Sequence, residues 1–254
     1  MIKVILSGCN GKMGQVITGL VQESEDMQIV CGVDINAVPK NDYPVVTSPS
    51  DFSGEADVII DFSHPSSLDN LLAYAVQSKT PIVVCTTGLA SDQIKKMHET
   101  ANDVAVFFSA NMSLGINLMI DLITRAAKIL EESFDIEIVE RHHNQKIDAP
   151  SGTALALADA LAESLSEPTE YVYDRHSVRR KRKKREIGLH AVRGGTIVGD
   201  HTVIFAGKDE VIEVKHSAAS KEVFAVGAVR AGRFLADKPA GMYSMRDLVG
   251  AITD

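Results

Sequence analysis

Five short apolar runs separated by helix-length segments constrain this chain more than any other feature. They fall at Ile2–Ser7, Gln28–Asp34, Asp57–Phe62, Pro81–Thr86 and Val104–Ser109. Within each run the apolar residues are nearly continuous. A strand exposed on one face alternates with period two, so a continuous run predicts a strand buried on both faces, as in a parallel sheet. The intervening segments Gly14–Gln22, Pro65–Gln77 and Ser91–Ala101 read as helices. Strands and helices alternating at this pitch predict a doubly wound α/β sheet. The pattern changes after Asn111. Leu114–Leu130 reads as one long amphipathic helix, Phe134–Glu140 as a strand and Thr153–Leu165 as a helix. Three strand-like runs then cluster at Ile187–Val192, His201–Ala206 and Glu210–His216, which predicts a second, mixed or antiparallel sheet. Glu222–Leu235 and Ser244–Ala251 return to helix.

Composition excludes several classes of function. The 254 residues suit one large domain or two smaller ones. Cys9, Cys31 and Cys85 are an odd, widely spaced set, so neither a disulfide framework nor a zinc site is expected. The expected compartment is a reducing cytoplasm. No apolar run reaches the roughly 18 residues of a membrane-spanning helix, so no membrane partner is expected. The seven residues Arg179–Arg185 are all basic. Setting them aside leaves 19 of the 26 basic residues against 34 acidic ones, a background that repels a polyanion at long range. No nucleic-acid partner is expected, and the run reads as a solvated loop or hairpin before Ile187.

The first turn carries a glycine loop, Gly8-Cys9-Asn10-Gly11-Lys12-Met13-Gly14, between a predicted strand and a predicted helix. Glycines let a backbone approach a pyrophosphate, and the free N–H groups of a helix start bind it. The spacing is G-x-x-G-x-x-G, and Asp34 ends the next strand 20 residues past Gly14. A carboxylate there can accept the ribose hydroxyls of a dinucleotide.

The segment from Glu140 to Thr153 leaves a strand and enters a helix. It holds His142, His143, Lys146, Asp148, Pro150, Ser151, Gly152 and Thr153. Histidine titrates nearest neutral pH and suits proton donation. Lys146 supplies a positive charge. The hydroxyls and N–H groups of Ser151, Gly152 and Thr153 form a helix start suited to a carboxylate. A zinc site fits poorly, because adjacent histidines on an extended strand point to opposite faces. A Ser151 hydrolase lacks the G-x-S-x-G turn. An inert loop is the remaining alternative.

The same segment, with His142-His143, Lys146 and Asp148-Ala149-Pro150-Ser151-Gly152-Thr153-Ala154, resembles the signature of the 4-hydroxy-tetrahydrodipicolinate reductase (dihydrodipicolinate reductase) family. The glycine loop, Thr86-Thr87-Gly88, Ser109–Ser113 with Gly115 and Asn117, Val192–Gly195, Val198–His201 and Gly227–Arg230 extend the resemblance along the whole chain. It implies a nicotinamide-dependent reductase of the diaminopimelate–lysine pathway acting on a small cyclic dicarboxylate. His142 is then the proton donor and Lys146 the second catalytic residue. His143, Gly152 and Thr153 hold substrate. Gly8, Cys9, Asn10, Gly11, Lys12, Met13, Asp34, Cys85, Thr86, Thr87, Ser109, Ala110, Asn111 and Met112 line the cofactor. A homotetramer formed through the substrate domain is implied as well. On this reading residues 1–113, completed by helices from 222–254, form a Rossmann-type domain, and 114–221 a mixed α/β substrate domain. NADH is expected to serve at least as well as NADPH, because Asp34 repels a 2′-phosphate and Ile35 stands where NADPH-preferring relatives often carry Arg. Another dehydrogenase on this scaffold and a non-catalytic NAD-responsive regulator stay open.

Overall fold

The computed structural model describes residues 1–253. Strand β1 (Ile2–Ser7) leads through the glycine loop to helix α1 (Lys12–Gln22), then β2 (Met27–Val33) and the two-residue β3 (Val45–Val46). Next come β4 (Val58–Asp61), α2 (Leu68–Ser78), β5 (Ile82–Val84), α3 (Ser91–Thr100) and β6 (Ala105–Phe108). Helix α4 (Leu114–Leu130) precedes β7 (Asp135–His142), α5 (Gly152–Ser164) and β8 (Glu170–Val172). Strands β9 (Glu186–Arg193), β10 (Gly199–Ala206) and β11 (Val211–Ala218) follow, then α6 (Glu222–Leu235), β12 (Gly241–Tyr243) and α7 (Met245–Thr253). The chain divides into two compact units, residues 1–114 with the segment from Glu222 onward, and residues 115–221.

The first unit is built on a seven-stranded sheet ordered β12-β6-β5-β4-β1-β2-β3, parallel throughout. The expected burial on both faces is present. Val4, Leu6, Ile60 and Phe107 pack on one side with Ile17 of α1 and Leu235 of α6. Ile5, Ile59, Ile82 and Val106 pack on the other with Leu71 of α2 and Met97 of α3. In a parallel sheet all strand C-termini share one edge, so the segments that follow β1, β2, β4, β5 and β6 emerge together. The chain order reverses between β1 and β4, which is where such sheets bind ligands.

The second unit has a mixed sheet ordered β11-β10-β7-β9-β8. Strand β7 runs parallel to β9 and antiparallel to β10. One face packs α4 and α5, through Ile123, Leu157 and Leu161, onto Ile136, Ile138, Val203 and Phe205. Strand alternation carries this apolar stripe straight into polar residues. Ile136 and Ile138 are followed on the same face by Glu140 and His142, both buried.

The structure adds three strands to the expected set. β3, β8 and β12 have only two or three residues, too few for a periodic signal. β7 runs to His142 rather than stopping at Glu140, because Arg141 pairs with Asp200 and Glu140 with His201 across the ladder. The basic run is a largely exposed loop, as expected, but five of its seven charges, Arg180, Arg182, Lys183, Lys184 and Arg185, are paired with acids. Strands β7, β8 and β9 are parallel neighbours, so their N-termini collect Asp135, Glu137, Glu170 and Glu186 at one edge. Arg182 donates to Glu137 and Asp135, both at 3.0 Å, Lys183 to Glu170 at 3.0 Å, and Arg180 to Glu186.

Two glycines test this packing. A Cβ at Gly227 in α6 would sit 1.7 Å from the Met112 carbonyl oxygen, whereas one at Gly19 in α1 meets nothing within 4 Å. Gly227→Ala should therefore destabilise the first unit by about 1–3 kcal/mol through overpacking. Gly19→Ala should stabilise it by about 0.5–1 kcal/mol, through helix propensity alone. Thermal unfolding followed by circular dichroism reads both; equal melting temperatures for the two variants would refute the assignment.

Candidate active site

The first unit brings the residues expected at a dinucleotide to one sheet edge. Gly8 adopts φ +76°, and a Cβ there would lie 2.5 Å from the Phe62 carbonyl oxygen. Gly14 presses α1 against the loop, since its Cβ would be 2.2 Å from the Gly8 carbonyl oxygen. Gly11 caps α1 without a side chain in the way of the N–H groups behind it. Asp34 is fixed to the same loop. Its Oδ2 accepts the Asn10 N–H at 3.0 Å and its Oδ1 the Asn36 N–H at 3.0 Å. Lys40 closes the loop, donating from Nζ to the Asn10 carbonyl at 2.9 Å. The buried Asn10 Oδ1 has no protein partner. A glycine cradle, an uncapped helix start and an immobilised carboxylate fit a dinucleotide.

Several expected cofactor residues offer backbone rather than side chain. Cys9 and Cys85 are buried in the core, and burial pushes both thiols upward. Thr86 is buried with its hydroxyl donating to Asp61 at 2.7 Å. Thr87, Ala110, Gly11 and Lys12 are exposed, while Met13, Ser109 and Asn111 are half-buried and Met112 is buried. Asp61 is a residue that sequence reasoning missed. It ends β4 fully buried, and its Oδ1 accepts the Ser63 N–H at 3.1 Å and hydroxyl at 2.6 Å. Burial raises its carboxyl above the ordinary range, against those hydrogen bonds. It thereby ties the loop after β4 to the loop after β5. A lone acid ending an apolar run was the available signal.

In the second unit one buried carboxylate organises the segment from Glu140 to Thr153. Glu140 Oε2 accepts from His142 Nδ1 at 2.6 Å. Arg193 grips both oxygens with a two-pronged guanidinium, Nη1 to Oε2 and Nη2 to Oε1, each at 2.7 Å. Oε1 also accepts the Ser151 N–H at 3.0 Å. Burial pushes the Glu140 carboxyl up, but Arg193, His142 and Ser151 together hold it below the usual range. An ionised carboxylate only accepts, so His142 donates from Nδ1 and its proton chemistry is confined to Nε2. Arg193 further holds the Asp148 carbonyl at 2.6 Å, and so secures the loop between strand and helix.

Ser151 turns its hydroxyl inward. Its side chain is buried and caps α5, accepting the Ala154 N–H at 3.2 Å and contacting His201 Nε2 at 3.1 Å. Its hydroxyl is thus spent inside the protein, while at the helix start Gly152 is exposed and Thr153 half-buried. His143, just past β7, is half-buried. Lys146 pairs with Asp148, Nζ to Oδ1, at 2.8 Å. His201 stands edge-on to His142, with ring centroids 5.2 Å apart. Arg193 and His201 were also missed as site residues; they come from β9 and β10, far from the segment in sequence. Among the described residues no group of His, Cys, Asp and Glu could hold a metal ion, and no helix is long and apolar enough to cross a membrane.

Comparison with known proteins is consistent along the whole chain. Residues 2–112 match the family model "Dihydrodipicolinate reductase, N-terminus", and residues 115–249 match "Dihydrodipicolinate reductase, C-terminus". The chain is 52% identical to a 4-hydroxy-tetrahydrodipicolinate reductase of Caldanaerobacter subterraneus, over 98% of both chains. It is 50% identical to the enzyme of that name from Clostridium tetani, over 96% of each. Among solved structures, a dipicolinate-bound dihydrodipicolinate reductase from Paenisporosarcina sp. TG-14 superposes with a TM-score of 0.79 at 25% identity. It covers 96% of this chain and 97% of that one.

The buried network has a pH signature. Burial, followed by the charge of His142, pushes His201 down to about 4 from its ordinary 6.5. Between those values the unfolded chain binds a proton that the folded protein does not, so stability falls as pH drops from about 6.5 towards 4. The loss from His201 is about 2–3 kcal/mol. His216, also lowered by burial, adds in the same direction. Urea unfolding at pH 7.5 and 5 should show this slope, and His201→Gln should flatten it. An unchanged slope would place His201 outside the titrating set.

Proposed function

The chain belongs to the dihydrodipicolinate reductase family, and from that premise we infer that it reduces 4-hydroxy-tetrahydrodipicolinate to tetrahydrodipicolinate with loss of water. The observation that carries this reading into the site is the Glu140 carboxylate, which binds the imidazole of His142 and the start of α5 at once. A coupled assay tests it: the substrate is generated freshly and nicotinamide absorbance is followed. Absence of turnover with either cofactor would overturn it.

The first unit holds the dinucleotide through Gly8–Met13, Asp34, the backbone of Cys85–Thr87, and Ser109–Met112. When bound, the cofactor supplies the hydride. His142 donates the accompanying proton from Nε2, with Glu140 fixing the tautomer. Lys146 supplies positive charge at the substrate. A substrate carboxylate is held by Gly152 and Thr153 at the α5 start, where N–H groups and the helix dipole favour an anion, and by His143. We propose a cytoplasmic location, where three free thiols stay reduced. We further propose a homotetramer assembled through the second unit. Its sheet face opposite α4 and α5 carries half-buried Val139 and Ile204 and exposed Val192.

Two predictions follow from these roles. His142→Gln should lower kcat by about 10²- to 10⁴-fold, the usual worth of a general acid, and Lys146→Ala should also slow turnover. Both variants should bind NADH as the parent does, by fluorescence titration. An unchanged kcat in His142→Gln would assign the proton to water. For cofactor choice, NADH should equal NADPH or exceed it by up to about 30-fold in kcat/KM. Asp34 is fixed with one oxygen on the glycine loop and the other on its own, and Ile35 and Asn36 carry no charge. Lys40 is secured on the carbonyl of Asn10, whose N–H binds Asp34, so Lys40→Ala should cost NADPH more than NADH, and Ile35→Arg should shift the ratio towards NADPH. Steady-state kinetics at fixed ionic strength decide it; a strong NADPH preference in the parent would refute the Asp34 argument.

A further inference from the structure

Asp148 takes no part in the reading above, yet it pairs with Lys146, which the reading sets at the substrate. Its Oδ1 lies 2.8 Å from Lys146 Nζ. Its carboxyl is held below the ordinary range by Lys146 first and also by the Gly152 N–H, the first donor of α5. A protein carboxylate four residues before the start of α5 therefore engages the ammonium that a ligand carboxylate needs. We propose that Asp148 is a displaceable internal occupant of the anion subsite, holding Lys146 until a carboxylate of the substrate takes its place. The proposal rests on the assignment of Lys146 and Gly152 to substrate.

The geometry allows this exchange. The Asp148 side chain is 56% exposed and that of Lys146 is 22% exposed, so the acid can rotate into water while the lysine stays in place. The loop need not move with it. Arg193 Nη2 holds the Asp148 backbone carbonyl at 2.6 Å, and the same guanidinium is locked onto Glu140. The exchange also selects ligands. A neutral molecule cannot replace the ion pair it would have to break, whereas a carboxylate replaces the ammonium contact. Asp148 is thus a specificity-determining residue, and it keeps the Lys146 ammonium paired when no ligand is bound.

Two measurements test the exchange. A crystal structure with dipicolinate should show Lys146 Nζ bonded to a ligand carboxylate and Asp148 turned out of hydrogen-bond reach of it. Calorimetric titration should show dipicolinate binding Asp148→Asn and Asp148→Ala roughly three- to tenfold more tightly than the parent, since an exposed pair and a charge-assisted contact no longer compete. Neutral pyridine-2,6-dicarboxamide should show no such gain. Dipicolinate bound at the α5 start with the Lys146–Asp148 pair intact would overturn the proposal and leave the site assignment standing. Equal or weaker affinity in both variants would do the same. Dipicolinate bound elsewhere, or not at all, would remove the site assignment and the proposal together.

Discussion

The second unit depends on keeping one buried charge satisfied. Glu140 is 1% exposed, and a carboxylate so placed is tolerated only if every lone pair finds a donor. Four donors do so: two from Arg193, one from His142 and one from the Ser151 backbone. Such a network costs more when broken than it contributes when whole, because each partner removed strands a charge in a poorly solvated place. That asymmetry gives it precision. The end of β7, the start of α5 and the end of β9 must keep one mutual arrangement, and the imidazole, the helix N-terminus and the intervening loop inherit it.

A similar logic runs through the first unit with different parts. Asp61 is buried at the end of β4 and is satisfied by hydroxyls and an N–H group rather than by a cation. Its carboxyl is accordingly pushed upward, whereas that of Glu140 is held down. Both acids tie strand ends to the loops that follow them. Close backbone approach does the rest: the Gly8 and Gly14 positions leave no room for a Cβ, so the glycine loop is held by contact as well as by hydrogen bonds. Asp34 adds the last restraint, receiving N–H groups from both the glycine loop and its own.

The basic run shows how topology changes the meaning of a charge pattern. Seven consecutive cations read as a solvated or polyanion-binding segment. Parallel pairing of β7, β8 and β9 gathers acids at their shared N-terminal edge, and the run lies against them. Exposed pairs of this kind contribute little individually, but Arg182 is largely enclosed and also donates to the Ile136 backbone carbonyl. The run is a strap that neutralises a sheet edge.

Much was legible before any tertiary contact was known. Continuous apolar runs required strands buried on both faces, and the glycine loop, Asp34 and the His142–Thr153 segment required a strand-to-helix turn for each chemistry. These signals are local: hydrophobic periodicity, glycine at a turn and a capping residue act over a few neighbours. Tertiary structure alone decided which side chains do the work. Arg193 and His201 reach Glu140 and Ser151 from β9 and β10, 53 and 50 residues away in the chain. Thr86 and Ser151 turned inward because buried Asp61 and an uncapped helix start required their hydroxyls. The short strands β3, β8 and β12 formed only because longer neighbours offered them a ladder. A sequence encodes the tendency of each segment, but satisfying a buried charge requires partners whose proximity exists only after the sheets assemble.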